Sequence, residues 1–177
     1  MAKKILVFDT SILCVWLQIP GKMSCGPKDN VWDYQRVDKL ITQEEKNGST
    51  FVLPLAAIIE TGNHISQCSG DRYELANKFA TIIRKTADEK TPWAAFTQQA
   101  EMWDKVRLNR LADEWPKLAV QRVSIGDATI KDVADYYAKS GIQTVEIITG
   151  DEQLRNYQPS KPKEIGVMTP PRPRRRQ

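Results

Sequence analysis

The chain is poor in the residues that build thiolate metal sites or disulfide frameworks. Its 177 residues include three cysteines, Cys14, Cys25 and Cys68, and a single histidine, His64. An odd cysteine count with no CxxC pair predicts neither a zinc site nor a disulfide scaffold, and points to a reducing compartment. No uninterrupted apolar run approaches the ~20 residues of a membrane helix. The opening MAKKILVFDT places two lysines before an apolar run, as a signal peptide would. Asp9 breaks that run at once and no small-residue cleavage site follows, so a first strand and a cytoplasmic location are the expectation. There is no internal repeat, and low complexity is confined to the C-terminal segment.

Excess positive charge is also scarce outside that segment. The net charge is +4, yet residues 161–177 carry six basic residues against Glu164 and so account for +5, leaving the first 160 at −1. This division predicts one domain over 1–160, long enough to bury a core without disulfides, and a basic Pro/Arg-rich arm over 161–177. PPRPRRRQ cannot form a helix or a central strand, because its prolines lack donors and fix the backbone near polyproline geometry. Such an arm either adds nonspecific affinity for phosphates or is a solvated end.

Strands and helices alternate along the domain. KKILVF and TFVLP read as strands, separated by an insertion-like IPGKMSCGPKDN loop and a helix over about 31–46 with Val31, Tyr34, Val37 and Leu40/Ile41 on one face. A helix follows Pro54 and carries Glu60, another covers about 71–88, and Thr91-Pro92 has the look of a further helix start. Leu108, Leu111, Trp115 and Leu118 form a stripe predicted to face the core on a helix ending near Trp115-Pro116. A short strand is expected over about 118–123. Ser124 to Asp127 has capping-box spacing and opens a helix ending at Ser140-Gly141. TVEIIT is a strand, 151–157 a short helix and EIGVMT a candidate edge strand. The order implies an α/β fold with a mainly parallel sheet and helices on both faces.

Four carboxylates recur at one kind of place, beside a strand end or helix start: Asp9, Glu60, Asp127 and Asp151. The carboxyl ends of parallel strands lie along one rim, where residues distant in sequence converge. Two carboxylates about 6 Å apart repel by roughly 3 kcal/mol at an effective dielectric near 20. A cluster of four therefore calls for a counter-charge, most simply a divalent cation. Taken singly, Asp9, Asp127 and Asp151 are each explained as helix caps. Glu60 is harder to dismiss, since it interrupts the apolar run VLPLAAII, where a charge costs energy unless it is paired or serves a site.

These segments resemble the PIN-domain nucleases, including VapC-type toxins. The resemblance rests on Asp9-Thr10-Ser11 after the first strand, the apolar helix with Glu60, the helix opening Asp127-Ala-Thr-Ile, and Thr149-Gly-Asp151, and it spans residues 5–157. It implies a three-layer α/β/α sandwich whose mainly parallel central sheet has four to five strands in the order 3-2-1-4-5. It further implies an endoribonuclease dependent on Mg²⁺ or Mn²⁺, with 5′-phosphate and 3′-hydroxyl products. Asp9, Asp127 and Asp151 are then expected to hold the metal, and Glu60 to ligate it or orient the attacking water. Ser11 and Thr149 resemble the family's small hydroxyl positions, suited to a metal-bound water or a phosphate oxygen. Single-stranded or structured RNA is the implied substrate, an antitoxin protein the partner of the toxin branch, and homodimers are common in the family.

Other readings stay open beside this one. Asp132 gives a spacing closer to that of compact family members and competes with Asp127 as the third acid; about 140° of helix separates them, so both cannot face one metal equally. His64, one turn after Glu60, is either a phosphate contact or proton carrier, or a partly buried residue satisfied by a neighbour. Trp103, Arg107, Arg110 and Lys117 lie opposite the leucine stripe and suit either base stacking with phosphate contacts or a solvated face. Trp93, Phe96 and Trp103 serve equally as an interface or as core. Phosphoaspartyl transferases also begin with a strand ending in aspartate, but they carry a second aspartate where this chain has Ser11. A non-catalytic PIN-like module that binds RNA or protein is the alternative function.

Overall fold

The computed structural model describes residues 3–139, 141, 143–157 and 159. Its centre is β1 (Lys4–Phe8), an apolar strand in which Leu6, Val7 and Phe8 have no exposed surface. The side chains alternate: Leu6 and Phe8 enter one core layer, Ile5 and Val7 the other. A strand covered on both faces has no polar side, so it reads as a continuous hydrophobic run. Each of these side chains stabilises the fold by about 1.5–3 kcal/mol through burial.

β1 pairs in parallel with β4 (Thr50–Val52) on one side and β5 (Thr144–Ile148) on the other. The sheet order is β4-β1-β5. One face is covered by α1 (Thr10–Trp16), α2 (Tyr34–Lys46), α3 (Leu55–Gln67) and α4 (Arg72–Ala87), the other chiefly by α6 (Ile125–Ala138) and α7 (Glu152–Arg155). A 3₁₀ segment (Phe96–Trp103) and α5 (Lys105–Val120) precede α6, and a two-residue hairpin of β2 (Ser24–Cys25) and β3 (Trp32–Asp33) precedes α2. Among the described residues no helix is long and apolar enough to cross a membrane.

The mixed α/β class and the parallel pairing match the sequence reading; among the described residues the sheet has three strands, where four to five were expected. Beyond β4, among the described residues, lies only a parallel bridge between Phe51 and Trp93, closed by Phe51 N–H on the Pro92 carbonyl (2.8 Å) and Ala94 N–H on the Phe51 carbonyl (2.8 Å). Thr91-Pro92 therefore leads into this edge contact instead of opening a helix. No strand forms over 118–123: α5 continues through Pro116 to Val120, and the chain then turns at Arg122 with a φ of +63°. The leucine stripe of α5 is only half covered; no residue of that helix is buried, and Leu108 is exposed. Asp33 caps α2, so Val31 lies outside the helix and the buried face is Val37, Ile41 and Glu44. The candidate strand EIGVMT and the basic arm lie outside the described residues.

Candidate acidic site

Asp9 leaves the end of β1 and caps α1. Its Oδ1 accepts from Thr10 N–H (2.7 Å), and its Oδ2 from Ser11 N–H (3.3 Å), the Ser11 hydroxyl (2.6 Å) and the Thr149 hydroxyl (2.7 Å). Thr149 directly follows β5, so this last bond ties together the ends of two neighbouring strands. Two further bonds extend the tie: the Ser11 hydroxyl accepts from Gly150 N–H (3.0 Å) and the Thr149 hydroxyl from Asp151 N–H (2.9 Å). Asp9 is buried, and burial pushes its carboxyl above the usual range against the pull of the bonds from Ser11, Thr149 and Thr10.

Glu60 reaches the same region from the second turn of α3, where its Oε2 accepts from the Thr10 hydroxyl (2.9 Å). Its other oxygen presses on the backbone of Gly126 in the first turn of α6. A Cβ at Gly126 would stand 2.2 Å from Glu60 Oε1 and 3.1 Å from Cδ. Only glycine leaves this room, and the carboxylate thereby lies beside the positive end of the α6 dipole.

Asp151 caps α7 and Asp127 is the N3 partner of the Ser124 cap, as the sequence spacing predicts. Asp127 completes a capping box with Ser124: its backbone N–H donates to the Ser124 hydroxyl (2.9 Å), and its carboxylate accepts from Ser124 N–H (3.3 Å). Asp151 Oδ1 accepts from Gln153 and Leu154 N–H (2.8 and 3.0 Å). Capping and convergence are not alternatives here. Asp9, Glu60, Asp127 and Asp151 all line one cavity of about 460 Å³, together with Ser11 and His64. Asp132 lines a different crevice with Trp103 and Arg107, and lies 3.8 Å from Arg110. Position therefore assigns Asp127, not Asp132, to the acidic cavity.

Several residues of this cavity carried no signal in the sequence. Cys14 and Cys25 contribute to its wall and Lys22 to its rim. Burial raises both thiols, Cys14 to about 12, so neither is a thiolate at neutral pH. The hairpin that carries Cys25 sits tightly over Gly150, where a Cβ would stand 2.5 Å from Cys25 Sγ and 2.9 Å from Gly26 N. Gly150, lacking a Cβ, leaves the room this close approach needs.

The donor set of carboxylates and hydroxyls suits a hard divalent cation. Among the described residues no three His, Cys, Asp or Glu groups stand close enough to hold one as placed. The hydrogen bonds explain why: Asp9 is taken up by four donors, while Asp127 and Asp151 are turned toward the backbone N–H groups of their helix starts. The cap bonds engage Oδ2 of Asp127 and Oδ1 of Asp151, and each carboxylate has a second oxygen beside its cap. No family model, curated protein or solved structure matches the chain.

Proposed function

We propose that the chain is a metal-dependent endoribonuclease with a PIN-like three-layer α/β/α architecture, which hydrolyses RNA phosphodiester bonds at the acidic cavity. The observation that carries this reading is the meeting of Asp9, Glu60, Asp127 and Asp151, from four separate parts of the chain, on one cavity wall. Caps serving only their own helices would have no need of a common cavity.

A bound Mg²⁺ or Mn²⁺ would lower the pKa of a water and neutralise charge developing on the phosphodiester. Asp9, Asp127 and Asp151 would hold it. Asp9 is the fixed member, clamped by Ser11 and Thr149; Asp127 and Asp151 are the adjustable ones, each held by local cap bonds. Glu60, held by the Thr10 hydroxyl and close to Gly126, would orient the attacking water and accept its proton. Ser11 and Thr149 keep the Asp9 oxygens in position.

Labelled RNA incubated with the purified protein and Mn²⁺, beside Asp9→Asn and Asp151→Asn, tests the reading. Cleavage by the wild type that both substitutions abolish is the expected result. Cleavage untouched by both would sink the mechanism, and RNA binding without cleavage would favour a non-catalytic module. In the toxin form of the proposal, a small antitoxin protein would cover the acidic wall and suppress cleavage when added in equimolar amount.

Gly126→Ala is a sharper probe of Glu60. The backbone of Gly126 tolerates alanine, and the change adds about 0.5–1 kcal/mol of helix propensity. The added methyl nevertheless collides with the Glu60 carboxylate. Activity is expected to fall about tenfold or more while the melting temperature holds or rises; a fully active variant would separate Glu60 from the chemistry.

A further inference from the structure

Next to the acidic cavity, on the other side of Glu60, lies an apolar groove of about 250 Å³ between α3, the 3₁₀ segment, α5 and α6. Leu55, Ile59, Trp103, Leu111 and Ile125 form its walls, with Gly126 and Thr129 at its edge. Three of these side chains are large apolar groups left open to solvent: Ile59 is 55% exposed, Ile125 50% and Trp103 38%. Glu60 belongs to both walls, so whatever fills the groove abuts the acidic cavity. Trp103 also faces a small adjoining crevice lined by Arg107.

We propose that this groove is a base-binding subsite, which takes one unpaired nucleobase of the RNA strand whose phosphate lies at the acidic cavity. The inference rests on the nuclease reading and deepens it by giving one base of the strand a place in the fold. A chain crossing the cavity must place the nucleotide beside the cleaved bond on one flank or the other, and this flank offers an indole and two isoleucine side chains. The volume favours the same occupant. It falls below the ~300–1,000 Å³ of clefts that take drug-sized ligands and suits a single planar ring system rather than a peptide helix. Stacking on an aromatic side chain is tolerant of base identity, because every base has a π face. A paired base has its faces occupied by its neighbours in the duplex and cannot enter the groove.

Fluorescence anisotropy of a short labelled single-stranded RNA, with Ca²⁺ in place of Mn²⁺ to prevent turnover, tests the subsite. Trp103→Ala is expected to weaken binding by about tenfold or more, and Trp103→Phe to restore most of the loss. An abasic oligomer of the same length should bind the wild type about as weakly as intact RNA binds Trp103→Ala, with no further loss when the two changes are combined. Duplex RNA should compete poorly. If Trp103→Ala fails to fold, Ile125→Asp at an exposed position of the same groove reads the same loss. Unchanged RNA affinity in a folded variant would overturn the subsite. The two ideas fail separately: Mn²⁺-dependent cleavage with Trp103-independent binding sinks the subsite alone, and Trp103-dependent binding without cleavage sinks the nuclease alone.

Discussion

Asp9→Asn is expected to cut Mn²⁺-dependent RNA hydrolysis by at least about a hundredfold, the upper end of what losing a residue behind a metal ligand costs. The same variant should melt within a few degrees of the wild type in the absence of metal, because two effects oppose each other. Removing a buried charge relieves desolvation. Against that, an amide cannot accept from all the donors now aimed at Asp9, and a donor left unmatched costs about 1–3 kcal/mol. The pH profile separates these terms. Burial holds the Asp9 carboxyl above its ordinary value in the folded protein, so the folded state binds the proton more tightly than the unfolded chain does. The stability this supplies is complete below the unfolded carboxylate range and is lost as pH rises through the raised folded value. Metal-free wild type should therefore lose stability over that rise, and Asp9→Asn should lack the slope. Saturating Mn²⁺ should stabilise the wild type by about 2.7 kcal/mol at a hundred times its dissociation constant, with little effect on the variant. Equal metal stabilisation of both proteins would remove Asp9 from the metal site.

Phe8→Ala should cost about 3–5 kcal/mol, a large share of the ~5–15 kcal/mol that holds a domain of this kind together. Phe8 is completely buried, and its ring meets Phe51 edge-on at 5.3 Å and Trp93 at 5.6 Å between centroids. Phe51 and Trp93 are also the residues of the edge bridge beyond β4. Truncation thus opens a cavity where the sheet has least backbone pairing to resist collapse. Urea titration should show a lower midpoint with an unchanged slope. A loss below about 1 kcal/mol would mean that the three rings do not form one packing unit.

Much of the site was legible because caps and buried strands leave strong local marks. The acid after ILVF, the Ser124–Asp127 spacing and the acid after Thr149-Gly150 each mark a helix start, and each is one in the structure. Glu60 stood out as a charge within an apolar run, and its partner Thr10 explains how it is held there. The misreadings came from patterns that two elements share. LAVQRV suits a short strand, yet its first half is the last turn of α5 and the rest a turn. The α5 stripe has helical spacing, but spacing cannot say whether a neighbour covers it, and here α6 covers only part. The β2–β3 hairpin is two residues per strand, too short to show alternation. Nothing local marked Cys25 or Lys22 as neighbours of the acids, since their approach depends on how the 17–33 segment folds back over Gly150.

The hydroxyl clamp between Asp9 and Thr149 spans 140 positions of the chain. During synthesis Asp9 emerges 140 positions before Thr149, and its clamp and its companion Asp151 do not exist until β5 has been made and has paired with β1. Every shorter nascent chain has an open rim with one strand end missing. A ribosome making this protein is therefore exposed to the assembled cavity only after nearly the whole domain has been translated and released to fold.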